Sequence, residues 1–138
     1  MRLGLLSTVA LMGVVMSVSA HAAESSVKSG VYSAAQAERG LSVILGECAR
    51  CHGNTLLGGE NDTPPLVGAP FQSKWSGLTL GELFEKMYTT MPSDSPGRLS
   101  KSDYADALAY ILATNKYPAG DKDLAANADA LKQIKIEP

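Results

Sequence analysis

The sequence predicts an all-α fold, a few short helices joined by long loops. Apolar residues recur at helical spacing in three separate stretches, each behind a helix-start signature. No run of alternating apolar and polar residues is long enough for a convincing strand. The chain has 138 residues, which suits one folded domain.

The N-terminal stretch stands apart from that domain. Met1-Arg2 gives a positive start, Leu3 to Val18 is apolar apart from Ser7, Thr8 and Ser17, and Ala20-His21-Ala22 places small residues around a larger one. That layout predicts a secretory signal peptide over 1–22, with cleavage after Ala22. The alternative is a retained anchor, but the apolar run is short for a bilayer span, which needs about 20 residues. No later segment is apolar enough to cross, so no span is expected after cleavage. Without residues 1–22, which hold Arg2 and no acid, the 12 basic side chains fall to 11 against 14 acidic, a formal charge of −3. No basic stripe exists to neutralise phosphates, which argues against nucleic acid as a partner. One of the two histidines, His21, leaves with the signal, so His52 is the histidine of the mature chain.

Residues 23–32 are polar and small without a sustained period, and read as a flexible leader. The main domain is expected over 33–117. Ser33-Ala34-Ala35-Gln36 reads as a capping box, in which Ser33 and Gln36 each satisfy a free amide at a helix start. Behind it Ala37, Gly40, Leu41, Ile44, Leu45 and Cys48 fall on one helical face. Gly40 weakens that helix, which points to a close crossing by another element. Gly53 to Ala69, with Gly58-Gly59, Asn61-Asp62 and Pro64-Pro65, reads as a long irregular loop, too long for a mere connector.

A second capping box, Thr79 to Glu82, opens a helix whose apolar face is Leu80, Leu83, Phe84, Met87 and Tyr88. Pro92 stops it near Met91, because helical geometry is disfavoured in the residue before proline. Ser100 to Asp103 starts a third helix with Tyr104, Ala107, Leu108, Ile111 and Leu112 on its apolar face, ended by Tyr117-Pro118-Ala119-Gly120. Residues 118–138 form a C-terminal extension. Within it Leu124 to Ile136 is amphipathic, with Leu124, Leu131 and Ile134 as candidate anchors.

Cys48-Ala49-Arg50-Cys51-His52 carries the chemistry. Two thiols three positions apart lie about one helical turn from each other. Each can add to one vinyl group of a haem, and the adjacent His52 is then placed to ligate the iron, so C-x-x-C-H is read as covalent haem c attachment. A disulfide would close a strained small ring and leave His52 unused. A thioredoxin-like motif would need a βαβ pattern that is absent. A zinc site needs four ligands, and the mature chain has no third cysteine or second histidine.

A second axial ligand must come from elsewhere. The mature methionines are Met87 and Met91. Met87 lies on an apolar helix face, where it reads as core filler. Met91, before Pro92, is forced extended and free to project. His52 and Met91 are therefore the expected iron ligands. That pairing raises the reduction potential, leaves no open position, and suits electron transfer.

With its order of helix, C-x-x-C-H, proline-containing loop, helix, Met-Pro and helix, the stretch from Ser33 to Lys116 resembles the class I cytochrome c family. The resemblance implies a small three-helix fold around one haem, with the first and last helices crossing near Gly40. It implies a proline carbonyl against the ring N–H of His52, a role that falls to Pro64 or its neighbour Pro65, with Leu66 packing on the haem. It makes Trp75 either a wall of the haem pocket or an indole donor to a haem propionate. Tyr88 reads as core, and Arg50 as a solvated or propionate-facing charge. The segments Pro64-Pro65-Leu66-Val67-Gly68 through Trp75, Thr90-Met91-Pro92 and Tyr117-Pro118-Ala119-Gly120 are similar to bacterial cytochromes that serve pyrroloquinoline quinone-dependent dehydrogenases. With the expected signal peptide, the resemblance implies a periplasmic electron carrier, free or as a subunit of a dehydrogenase complex, and not an enzyme. Its donor would be a dehydrogenase and its acceptor another cytochrome or a terminal oxidase. The competing reading is a haem enzyme or gas-binding sensor with a labile distal ligand, which would need Met91 to let go.

Overall fold

The structure is a computed structural model that describes residues 25–59 and 62–138. The expected signal peptide, residues 1–22, lies outside the described residues. The chain runs through strand β1 (Ser25–Ser26), a 3-10 turn (Val27–Ser29), helix α1 (Ala34–Val43), a π-helical turn (Ile44–Cys48), helix α2 (Ala49–His52), helix α3 (Gly68–Trp75), helix α4 (Leu80–Thr90), helix α5 (Lys101–Thr114), helix α6 (Ala128–Leu131) and strand β2 (Ile134–Lys135). The all-α expectation stands, because the strands form only a two-residue parallel pair that joins the two ends of the described chain, Ser25 to Ile134 and Ser26 to Lys135.

The crossing of α1 and α5 is the frame. A Cβ on Gly40 would lie 1.9 Å from the Asp106 carbonyl oxygen, so the two backbones meet where a side chain cannot stand. Arg39 fastens the crossing from outside, donating to both carboxylate oxygens of Asp106 at 2.9 and 3.2 Å. All five predicted core positions of α5 are buried, and so are Ala105, Asp106 and Ala109, because α5 is covered on nearly every side.

The α1 face is narrower than the spacing predicts. Ala37, Gly40 and Ile44 are buried, but Leu41 and Leu45 remain 37% and 50% exposed. They fall to the side of the α5 contact. The π-turn, closed by the Ala49 N–H donating to the Ile44 carbonyl, also breaks the 3.6-residue register there. The capping box at Ser33 is half made. Ser33 accepts from the Gln36 N–H at 3.0 Å, but the Gln36 side chain turns inward to the backbone of Leu124. The boxes at Thr79–Glu82 and Ser100–Asp103 are complete.

Two further expectations are corrected. Residues 25–32 are not a loose leader: Val27 is fully buried, Tyr32 nearly so, and the Tyr32 hydroxyl donates to the Tyr117 carbonyl at 2.6 Å. The loop read from Gly53 to Ala69 ends at Val67, and α3 follows. Its start, Gly68-Ala69-Pro70, reads as a turn, yet a proline in the first helical turn removes an N–H that has no intrahelical partner anyway. The C-terminal extension docks rather than frays. Of the candidate anchors Leu124 and Leu131 are buried and Ile134 is half-buried, while Ile136 is buried in its stead and exchanges backbone hydrogen bonds with Gly77 and Leu78. Among the described residues no helix is long and apolar enough to cross a membrane.

Candidate functional site

The π-turn and α2 present the C-x-x-C-H motif at the end of the helix that crosses α5. Cys48 closes the π-turn, and Cys51 and His52 lie on α2. The thiols are free, Cys48 half-buried and Cys51 exposed. Burial, and after it the Glu47 carboxylate, push the Cys48 thiol up to about 11. As a free thiol it is therefore protonated at neutral pH.

His52 is buried, and its Nδ1 lies 3.0 Å from the Pro64 carbonyl oxygen. A carbonyl can only accept, so Nδ1 carries the proton and Nε2 keeps its lone pair for a metal. The contact goes to Pro64 and not to Pro65. The loop is folded back so that this contact can form. The Gly58 N–H donates to the His52 carbonyl at 3.1 Å and the Leu66 N–H to the Leu56 carbonyl at 2.8 Å. A Cβ on Gly59 would lie 2.1 Å from the Cys51 carbonyl oxygen, so this return over the motif requires glycine.

These residues open on one cleft of about 1040 Å³, counting the space at its mouth. Cys48, Cys51, His52, Pro64, Leu66, Trp75 and Met91 all line it. Met91 sits just past α4 in extended backbone, φ −125° and ψ 151°. Its carbonyl accepts from the Tyr104 hydroxyl at 2.5 Å. Trp75 and Leu66 are half-buried in the wall. Met87 also lines the cleft, from within α4. Tyr88 does not. It packs edge-on against Tyr104 with ring centroids 5.5 Å apart and lies under the Lys101 ammonium. Arg50 is neither simply solvated nor free, since it pairs with Asp94 at 2.6 Å.

The cleft's apolar floor includes Ile44, Phe71, Leu83, Ala107 and Ile111. Sequence reasoning placed most of these in the core without assigning them to the site. Phe71 was missed with α3, and its signal was the apolar residue one turn before Trp75. Glu47, which lines the cleft and accepts from Arg98, was missed, because nothing local links residues so far apart.

The donor set fits a haem. Two thiols one helical turn apart stand beside an imidazole whose proton is fixed on Nδ1, in an apolar cleft that also holds a thioether. Cys48 and Cys51 would hold the ring edge and His52 the iron.

No curated protein matches the chain. A chain in the crystal structure of the sulfane dehydrogenase SoxCD from Paracoccus pantotrophus has a similar fold, with a TM-score of 0.51 at 19% identity. The match covers 92% of this chain and 66% of that one. At that identity the likeness speaks for the fold alone. The family described as cytochrome c oxidase, cbb3-type, subunit III matches residues 35–111, the span from α1 through most of α5 that contains the whole cleft. Motif, cleft and family agree: the chain is a c-type cytochrome with covalently bound haem c, and it belongs to this cbb3-type subunit III family.

Proposed function

We propose that the chain is a periplasmic one-electron carrier in which His52 and Met91 hold the haem iron from two sides. One observation carries this reading: a single apolar cleft gathers the attachment motif, the oriented imidazole of His52 and the thioether of Met91. When bound, haem c supplies a one-electron couple between Fe(II) and Fe(III).

The chain's own residues keep that couple simple. Pro64 fixes the tautomer of His52 and raises its basicity as a ligand. The Tyr104 hydroxyl and the extended backbone of Met91 itself, before Pro92, set where Met91 projects. Ile44, Phe71 and Leu83 exclude water, which favours the less charged, reduced state. With His52 and Met91 both holding the iron, no place would be left for oxygen chemistry, which separates a carrier from a haem enzyme.

The pattern of residues 1–22 supports export to the periplasm. A dehydrogenase as donor accords with the fold likeness to a chain of the sulfane dehydrogenase. A terminal oxidase or second cytochrome as acceptor accords with the family's description. Docking would use a small transient surface.

Replacing Met91 tests the ligand set. Met91→Ala is expected to lower the reduction potential, abolish the weak near-infrared absorption of a ferric iron–thioether bond, and let the reduced protein bind carbon monoxide. Met87→Ala, which trims the cleft wall, should keep the near-infrared band and keep the reduced protein closed to carbon monoxide. If the two variants exchange these behaviours, Met87 is the ligand. If neither changes the spectrum, the iron is not held by a methionine.

A further inference from the structure

Two ion pairs join the same two segments across the cleft. Arg50, between the two cysteines of the motif, donates to Asp94 at 2.6 Å, and Glu47 accepts from Arg98. Their separations along the chain are 44 and 51 residues, so the tertiary fold alone brings them together. Each segment contributes one acid and one base. A shift that set Glu47 opposite Asp94 would place like charges together, so the pairing also fixes register.

The segment they hold, residues 91–98, begins with the Met-Pro step and contains no helix or strand. Its internal backbone bonds are turn bonds, Ser95 N–H to the Pro92 carbonyl at 3.0 Å, Gly97 N–H to the Met91 carbonyl at 3.3 Å and Arg98 N–H to the Ser95 carbonyl at 3.4 Å. Among the described residues, its polar ties to the π-turn and α2 are the two ion pairs. Glu47 and Arg50 line the cleft, and the side chains of both pairs reach solvent, which puts the pairs at its mouth.

We propose that Arg50, Asp94, Glu47 and Arg98 form a charged clasp that holds the Met91 segment shut over the haem cleft. They are positioning residues, which touch neither iron nor substrate. Through them, retention of the sixth ligand depends on surface charge and therefore on ionic strength. The inference rests on Met91 being that ligand.

The test uses the mature, haem-loaded protein and follows the rate at which the reduced form takes up carbon monoxide, which requires the Met91 segment to open. Asp94→Asn and Arg98→Gln, which leave the attachment motif intact, should each raise the rate about threefold, and together about tenfold. Salt should raise the rate of the unaltered protein and leave the double variant nearly unmoved. Exchanging the charges, Arg50→Asp with Asp94→Arg, should bring the rate back toward its starting value, which a role in general stability would not do. Met91→Ala should bind carbon monoxide fast at any salt concentration. If Met91→Ala is no faster than the unaltered protein, the ligand assignment fails. If it is fast while the Asp94 and Arg98 variants keep the original rate and salt response, the clasp is refuted and the ligand assignment survives. If charge exchange fails to restore the rate although the variant melts normally, the clasp is likewise refuted.

Discussion

Gln36 settles more than a helix start. Its amide donates to the Leu124 carbonyl at 3.2 Å and accepts from the Leu124 N–H at 2.6 Å, both buried. One side chain thus pairs the backbone of a segment 88 residues away. Gln36→Ala would leave both backbone groups of Leu124 without partners in a site closed to water, at a cost of about 2–3 kcal/mol. Chemical denaturation should read this as a lower midpoint with a similar slope. Gly40 is the stricter position. Gly40→Ala puts a methyl into the Asp106 carbonyl, and the helices must move apart or the chain must strain, at about 3 kcal/mol. The crossing was readable in the sequence because a glycine on an apolar helix face needs a reason. The partner of Gln36 was not, because a capping box is a local pattern and Leu124 outcompetes it only in three dimensions. Arg50 has the same lesson: its place inside C-x-x-C-H says nothing about Asp94.

At the scale of elements, local capping and tertiary packing divide the work. Thr79 and Glu82 bond reciprocally at the start of α4, with the Thr79 N–H on the Glu82 carboxylate at 2.7 Å. The helix that leads into Met91 is therefore fixed at its first turn. Thr79→Ala should cost about 1 kcal/mol of stability without shifting the reduction potential, since the cap is remote from the cleft. Thermal melting and redox titration of one sample separate the two effects. The helices α1, α4 and α5 were legible from spacing because each has a continuous apolar face. Helix α3 was not, because its first turn is Gly68-Ala69-Pro70 and only four residues of helical character follow before Trp75. The π-turn at 44–48 is invisible to any 3.6-residue pattern, yet it positions the first cysteine.

The molecule as a whole is closed by its ends. Strand β2 pairs with β1, Tyr117 donates to the Glu137 carbonyl at 2.6 Å, and Gln72 donates to the Tyr117 hydroxyl at 2.6 Å. These bonds tie both termini of the described chain to α3, the helix that carries Phe71 and Trp75 into the cleft wall. The extension is thus part of the haem domain's support. Its anchors were visible as isolated apolar residues, but their docking depends on backbone bonds that leave no periodic trace.

A charged seam runs along the same closure. The Ser33 hydroxyl, and after it the Arg39 guanidinium, hold the Asp123 carboxyl below its usual range. A depressed folded value means the stabilisation is present above the ordinary carboxylate value and is lost as pH falls through the lower, folded one. The melting temperature should therefore hold from neutral pH to about 5 and fall in stronger acid. Asp123→Asn should melt lower at neutral pH and show a flatter acid limb. An acid limb identical to that of the unaltered protein would remove Asp123 from the account.

The central claim is that His52 and Met91 close the iron for electron transfer, and an optical redox titration of the mature, haem-loaded protein, repeated under carbon monoxide, tests it most directly. The account predicts a reversible one-electron wave at positive potential and a reduced spectrum that carbon monoxide shifts only slowly, at the pace at which the Met91 segment opens. A prompt spectral shift with carbon monoxide, with a potential that follows it, would contradict the account and make the cleft an open site for ligand binding or catalysis.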